Sequence, residues 1–174
     1  MNQLKISSKD SLSGNYLIKF MLLFSKETSA IGLFSKKLCN NQNKIIGYNL
    51  VLLPNKEEYP FIILKESVHP VHKDNYLYQG RFAFIKSTFE IGEKYILDNL
   101  SNHSVWIDEV GSLELKGTGY SNLIKKLIGK NINLTITIKS NLLEKVIANP
   151  YLLFIPQQQI SSFNPPFTIH KIED

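Results

Sequence analysis

Two adjacent carboxylates, Asp108 and Glu109, stand directly after the apolar run Val105-Trp106-Ile107. Such a run reads as a short buried strand, and the acids fall where that strand leaves the sheet. In parallel α/β folds ligands bind beyond the carboxyl ends of strands. Two adjacent acids there are costly unless a cation or a water network uses them. A magnesium–phosphate site supplies such a use. Asp108 would orient the water shell of Mg2+, and Glu109 would position or polarise an attacking water. The same residues also fit an ordinary strand end with solvated acids, and the pair alone does not separate the two readings.

The elements that would carry these acids follow from the surrounding pattern. Leu4 to Ser7 reads as a short opening strand. Tyr16 to Phe24 reads as a helix apolar around most of its circumference, with Ser13 as its N-cap. Ala30 to Cys39, Lys44 to Leu53 and Tyr59 to Lys65 are extended runs separated by Asn40–Asn43 and Pro54–Glu58, both turn chemistry, so an antiparallel meander is expected. Arg81 to Ile85 reads as a further strand after a loop holding His69, Pro70 and His72. Beyond Ser87 the pattern alternates: helix Thr88–Leu100, with Phe89, Tyr95, Ile96 and Leu100 inward, then strand Val105–Ile107 and helix Tyr120–Ile128. Strand Leu134–Ile138, helix Asn141–Ala148 and strand Tyr151–Ile155 complete it. Alternating strands and helices predict an α/β fold, a mainly parallel sheet with helices on both faces. The tail beyond Pro156 offers one edge strand at Phe167–Ile172. The whole of residues 1–174 is expected to form one domain.

The acidic segment continues as Asp108-Glu109-Val110-Gly111-Ser112-Leu113-Glu114-Leu115. It resembles the Walker B region of the small P-loop nucleoside-triphosphatases first known from thermophiles, whose motif reads Asp-Glu-Ile-Gly, two residues, then Glu and an apolar residue. Further segments are similar in the same order. Gly32-Leu33-Phe34-Ser35 and Gly47-Tyr48-Asn49-Leu50 resemble two successive strands of that family. Gly80-Arg81-Phe82 with Phe89-Glu90 resembles its Gly-Arg-Tyr stretch and following helix, and Thr135-Ile136-Thr137 its strand after the Walker B helix. The resemblance spans roughly Ser7 to Ile155. It implies a P-loop α/β domain with an antiparallel hairpin inserted after the first helix, and slow, Mg-dependent hydrolysis of nucleoside triphosphates with broad base tolerance.

A working phosphate loop has the form G-x-x-x-x-G-K-[ST] between the first strand and the first helix. The corresponding window here is Lys9 to Tyr16, and only Gly14 matches. Asn15 stands at the lysine position and Tyr16 at the magnesium-binding hydroxyl. A hydrogen bond to a charged group contributes ~1.5–3 kcal/mol, so losing the lysine weakens phosphate binding tenfold to hundredfold. The helix N-terminal amides from Gly14 onward still offer an anion site, to which Ser11 and Ser13 would contribute. Lys9 and Lys19 are the nearest substitutes for the missing ammonium. Arg81, the sole arginine, follows Gly80 at the start of a strand, where it would touch phosphate oxygens or make a surface salt bridge.

Composition narrows the classes further. Hydrophobic residues make up 43% and charged residues 20% of the 174, a globular mix. No window approaches the ~20 apolar residues of a membrane span, and the N-terminus lacks the pattern of an export signal. The single cysteine, Cys39, allows no internal disulfide and no cysteine zinc cage, so a cytoplasmic location is expected. The net charge of +5 comes from lysines dispersed along the chain in runs of no more than two. Nucleic-acid sites favour arginine, which argues against that partner. His69 and His72 have a spacing compatible with a metal, but Pro70 forbids a regular helix between them. Trp106 and the many phenylalanines and tyrosines read as core. Two functions therefore stand: an atypical Mg-dependent nucleoside triphosphatase acting on ATP or GTP, and a non-catalytic relative serving as a binding or regulatory scaffold. A basic surface that docks on an acidic partner is a third.

Overall fold

A computed structural model describes residues 4–9, 30–100, 104–130, 132–139, 142, 145 and 167–171. Nine strands form one sheet: β1 (Leu4–Lys9), β2 (Ala30–Cys39), β3 (Ile45–Leu53), β4 (Glu57–Leu64), β5 (Tyr76–Gln79), β6 (Phe82–Ile85), β7 (Ser104–Val110), β8 (Leu134–Lys139) and β9 (Phe167–Lys171). Their spatial order is β5-β6-β4-β3-β2-β7-β8-β1-β9. The pairs β9–β1, β1–β8, β8–β7 and β7–β2 are parallel, whereas β2–β3, β3–β4, β4–β6 and β6–β5 are antiparallel. Among the described residues are three α-helices, α1 (Lys86–Asp98), α2 (Ser112–Leu115) and α3 (Ser121–Gly129).

The meander forms because its turns satisfy their own backbone. The Asn40 side-chain oxygen accepts from the N–H groups of Gln42 and Lys44 at 3.0 Å, and Asn43 takes the left-handed conformation the turn requires (φ 57°). Gly80 does the same (φ 57°) in the two-residue turn from β5 to β6. Gly47 answers a different need, since a Cβ there would run into the backbone carbonyl of Ile62 on the neighbouring strand.

The main core lies on one face of the sheet. Leu33, Ile107, Leu134 and Ile136 project from the sheet against Phe89 and Ile96 of α1 and Leu123, Ile124 and Leu127 of α3. Each fully buried side chain of this kind contributes about 1.5–3 kcal/mol. Ala30, Phe34, Val51, Leu53 and Trp106 form a second, smaller buried cluster, alternating along β2, β3 and β7 with residues of the first. Two polar ties fix α1 on the antiparallel half: the Thr88 hydroxyl donates to the Pro60 carbonyl at 2.7 Å, and the Tyr95 hydroxyl to the Leu53 carbonyl at 2.8 Å.

The expected meander and the edge strand near 167–172 are present, with the latter parallel to β1. Several boundaries differ. The loop carrying His69 and His72 holds a 3-10 helix, Pro70–Asn75, and is followed by an additional strand, the four-residue β5. The helix expected at Thr88–Leu100 starts at Lys86 and stops before Asn99, leaving Leu100 outside it. The strand expected to stop at Ile107 runs through to Val110. Tyr120 precedes its helix as the capping residue. The expected helix Tyr16–Phe24 with its Ser13 cap and the strand Tyr151–Ile155 lie outside the described residues. So does the expected helix Asn141–Ala148, apart from Leu142 and Lys145.

Candidate functional site

β7 supplies the acids, and a break in its ladder sets their direction. Ile107 pairs with Ile136 of β8, but the next pair is Val110 with Ile138. Three steps along β7 match two along β8, so Asp108 and Glu109 form a bulge opposite Thr137. Bulges of this kind re-aim side chains next to sites. Asp108 is buried at 6% exposure, and both of its oxygens are held. The Thr137 hydroxyl donates to Oδ1 at 2.6 Å, and the Ser35 backbone N–H donates to Oδ2 at 3.4 Å. The acid thus bridges β8 on one side and β2 on the other. Glu109 continues the β7 backbone, and its side chain lies outside the described residues.

Sheet register relates this acid to the first strand. Thr137, the partner of Asp108, is itself paired with Ser7 of β1, and β1 ends two residues later at Lys9 opposite Lys139. Since β1, β8, β7 and β2 are parallel, their carboxyl ends share one edge of the sheet. Only β8 separates β1 from β7, a span of about 10 Å at ~4.8 Å per strand. The window that begins at Lys9 therefore leaves the sheet on the same edge as Asp108.

The segment after β7 is locked by a buried acid. Gly111 caps α2, and Glu114 in the first turn reaches back so that its Oε2 accepts from the Gly111 N–H at 2.8 Å. Its Oε1 accepts from the Tyr120 N–H at 3.1 Å, tying the end of β7 to the start of α3. Burial raises the Glu114 carboxyl above its ordinary value of 4.5, and the bonds from Gly111 and Tyr120 partly offset this. Gly119 makes room for the arrangement, with φ at 58° and no Cβ to collide with the Glu114 carboxylate. Burial, and then the charges of Glu114 and Glu93, push the Tyr120 phenol well above its usual range. The hydroxyls of Tyr120 and Ser121 are buried with no hydrogen-bond partner among the described residues, and a Cβ on Gly92 of α1 would lie 2.6 Å from the Tyr120 oxygen.

Beside these acids lies a cavity of about 330 Å3. Asp108, Gly111, Ser112 and Glu114 form its acidic side. Tyr48, Phe61, Phe82, Phe84 and Phe89 form an aromatic side, with Gln79 and Arg81 from the β5–β6 hairpin. Arg81 is exposed, and its guanidinium lies over the Phe82 ring, 4.9 Å from the centroid. The structure therefore brings Asp108 and Arg81 to one cavity. Ser11, Ser13, Gly14, Asn15 and Tyr16 lie outside the described residues. His69 and His72 are exposed with ring centroids 6.0 Å apart, and His69 Nδ1 accepts from the Val71 N–H. Cys39 is the exposed last residue of β2.

The sequence did not single out Ser35 as a partner of Asp108, since only the parallel β2–β7 pairing brings it there. Thr137 belonged to a recognisable strand, but its hydroxyl's role depends on the bulge. The expectation that the aromatic residues are core holds for Trp106, Phe61 and Phe89. Tyr48, Phe82 and Phe84 are only half-buried and face the cavity, because the short antiparallel strands do not close over them.

The residues fit a hydrated Mg2+: the Asp108 carboxylate is held at a cavity wall that Ser35 and Ser112 also line, which suits an ion bound through oxygen and retained water. Comparison with known proteins supplies a family. A family profile described as NTPase matches residues 18–152. The solution structure of a human cancer-related nucleoside triphosphatase is similar to the whole chain, with a TM-score of 0.63 at 14% identity, 90% of that protein being covered. The crystal structure of THEP1 from the hyperthermophile Aquifex aeolicus is similar over 99% of this chain and 89% of its own, with a TM-score of 0.59 at 14% identity. No curated protein sequence matches.

Proposed function

From the premise that this chain belongs to the NTPase family, with its P-loop NTPase-like α/β fold, we propose that it is a nucleoside triphosphatase acting on ATP or GTP. The observation that carries the proposal is Asp108, a buried carboxylate at a cavity wall on the sheet edge where β1 also ends. When bound, Mg2+ would shield the charge of the terminal phosphates. Asp108, fixed by Thr137 and Ser35, would hold the water shell of that ion. Glu109 would position and polarise the water that attacks the terminal phosphorus. Arg81, on the same cavity, would stabilise charge on the phosphate oxygens. Ser11, Ser13, Gly14, Asn15 and Tyr16 would form the phosphate-facing turn after β1. Residues 1–174 would act as one cytoplasmic domain, and no helix among the described residues is long and apolar enough to cross a membrane.

Turnover in this reading is slow, because Asn15 and Tyr16 stand where a lysine and a small hydroxyl would complete the loop. The family match begins at residue 18, past that window. The same observation favours a second reading, an inactive relative that keeps the scaffold for binding or regulation. Phosphate release from ATP and GTP by the purified full chain, compared with Glu109→Gln, separates the two. Magnesium-dependent release that falls at least a hundredfold in the variant supports the enzyme. Equal background release from both proteins leaves only the scaffold.

A further inference from the structure

We infer that Ser35 stands in for the hydroxyl that the phosphate loop lacks: its side chain holds a water of hydrated Mg2+ on the β2 side of Asp108. The inference rests on the reading that Mg2+ and a triphosphate bind at Asp108.

The need for such a group is written in the sequence. A working phosphate loop ends in a serine or threonine whose hydroxyl binds Mg2+, and Tyr16 stands at that position. Mg2+ is bound through oxygen and keeps several of its waters. A hydroxyl lost from one side of the ion is therefore made good by another that faces the same water shell.

β2 brings a hydroxyl to that place. Leu33 of β2 pairs with Ile107 of β7, and Ser35 lies two residues further on, beside the bulge that carries Asp108. Its backbone N–H donates to Asp108 Oδ2 at 3.4 Å. Side chains alternate along a strand. Leu33 belongs to the main core and Phe34 to the smaller cluster, so Ser35 returns to the Leu33 face, where it lines the cavity with Asp108. Ser35 is only 9% exposed, yet its hydroxyl makes no hydrogen bond among the described residues. A hydroxyl in such a place is costly unless a ligand or a water satisfies it. A water on Mg2+ has two hydrogens to give, and Asp108 accepts one while the Ser35 oxygen accepts the other. Thr137 is not free for this part, because its hydroxyl already donates to Asp108 Oδ1.

The test is calorimetric titration of the full chain with non-hydrolysable analogues of ATP and GTP, in magnesium and in EDTA. Ser35→Ala removes the hydroxyl but keeps the backbone N–H that binds Asp108. It should weaken binding in magnesium by about tenfold and leave binding in EDTA unchanged, a split that a merely structural serine would not produce. Ser35→Thr, which restores a hydroxyl, should bind as the parent does. If Ser35→Ala does not fold, Ser35→Thr against Ser35→Val makes the same comparison, since the two differ only by a hydroxyl for a methyl. Equal binding by parent and Ser35→Ala in magnesium would overturn the inference and leave the triphosphate reading standing. Equal weakening in magnesium and in EDTA would overturn it too, because the hydroxyl would then not act through the metal. A parent that binds neither analogue would refute the triphosphate reading and the inference with it.

Discussion

Replacing Glu114 by Gln tests whether the acid behind the Asp108 strand end is a structural lock. In the parent, its two oxygens accept from the N–H groups of Gly111 at 2.8 Å and Tyr120 at 3.1 Å, in a site only 5% exposed. An amide has one acceptor oxygen, and its NH2 would face the second N–H as donor against donor. One buried backbone donor is then left unsatisfied, at a cost of about 1–3 kcal/mol. For a chain of this size that lowers Tm by roughly 2–12 °C. The pH dependence gives a sharper signature. Burial raises the Glu114 carboxyl in the folded protein above 4.5, so the folded state holds its proton more tightly than the unfolded chain does. The group's stabilising contribution is full below the unfolded value and is lost as pH rises through the folded value. Glutamine does not titrate, so the gap between parent and variant should be widest in acid and narrow as pH rises. Urea unfolding of both proteins across a pH series reads this directly. No gap at any pH would refute the lock, and a gap that widens with pH would show that the two N–H bonds, rather than burial, dominate the titration of Glu114.

Other consequences follow from the same geometry. Thr137→Val removes the 2.6 Å hydroxyl donor to Asp108 with little change of shape, and should lower Mg-dependent triphosphate affinity by about tenfold, as measured by calorimetry. Gly119→Ala forces a Cβ against the Glu114 carboxylate at a φ of 58°, and should cost at least ~1–3 kcal/mol in urea unfolding. Lys126→Ala breaks only a partly exposed ion pair with Glu93, and its unfolding free energy should stay within about 1 kcal/mol of the parent.

Much of this architecture was legible because its signals are local. Asparagine-rich and proline-containing turns delimit the meander, and three apolar residues before two acids mark β7. What was not legible depends on pairing between distant segments. The bulge that turns Asp108 toward the cavity exists only through the mismatch of β7 with β8. Ser35 reaches Asp108 only because β2, a meander strand, also pairs in parallel with β7. Glu114 was visible as a motif residue, yet its second bond, to Tyr120, depends on the left-handed turn at Gly119. The cavity escaped notice because aromatic residues at strand spacing read alike whether a core closes over them or leaves them half-covered. β5 is only four residues long, from Tyr76 to Gln79, too short a run for its alternation to stand out from the loop before it.

Thermal melting of the full chain with ATP and GTP, with and without magnesium, beside Asp108→Asn tests the account at its centre. Ligand at a hundredfold excess over its dissociation constant stabilises the native state by ~2.7 kcal/mol, so the parent should melt several degrees higher only when triphosphate and magnesium are both present. In Asp108→Asn that rise should disappear while melting without ligand remains cooperative. A parent unmoved by any triphosphate, or a rise that survives both the variant and the removal of magnesium, would contradict a metal–phosphate site at Asp108.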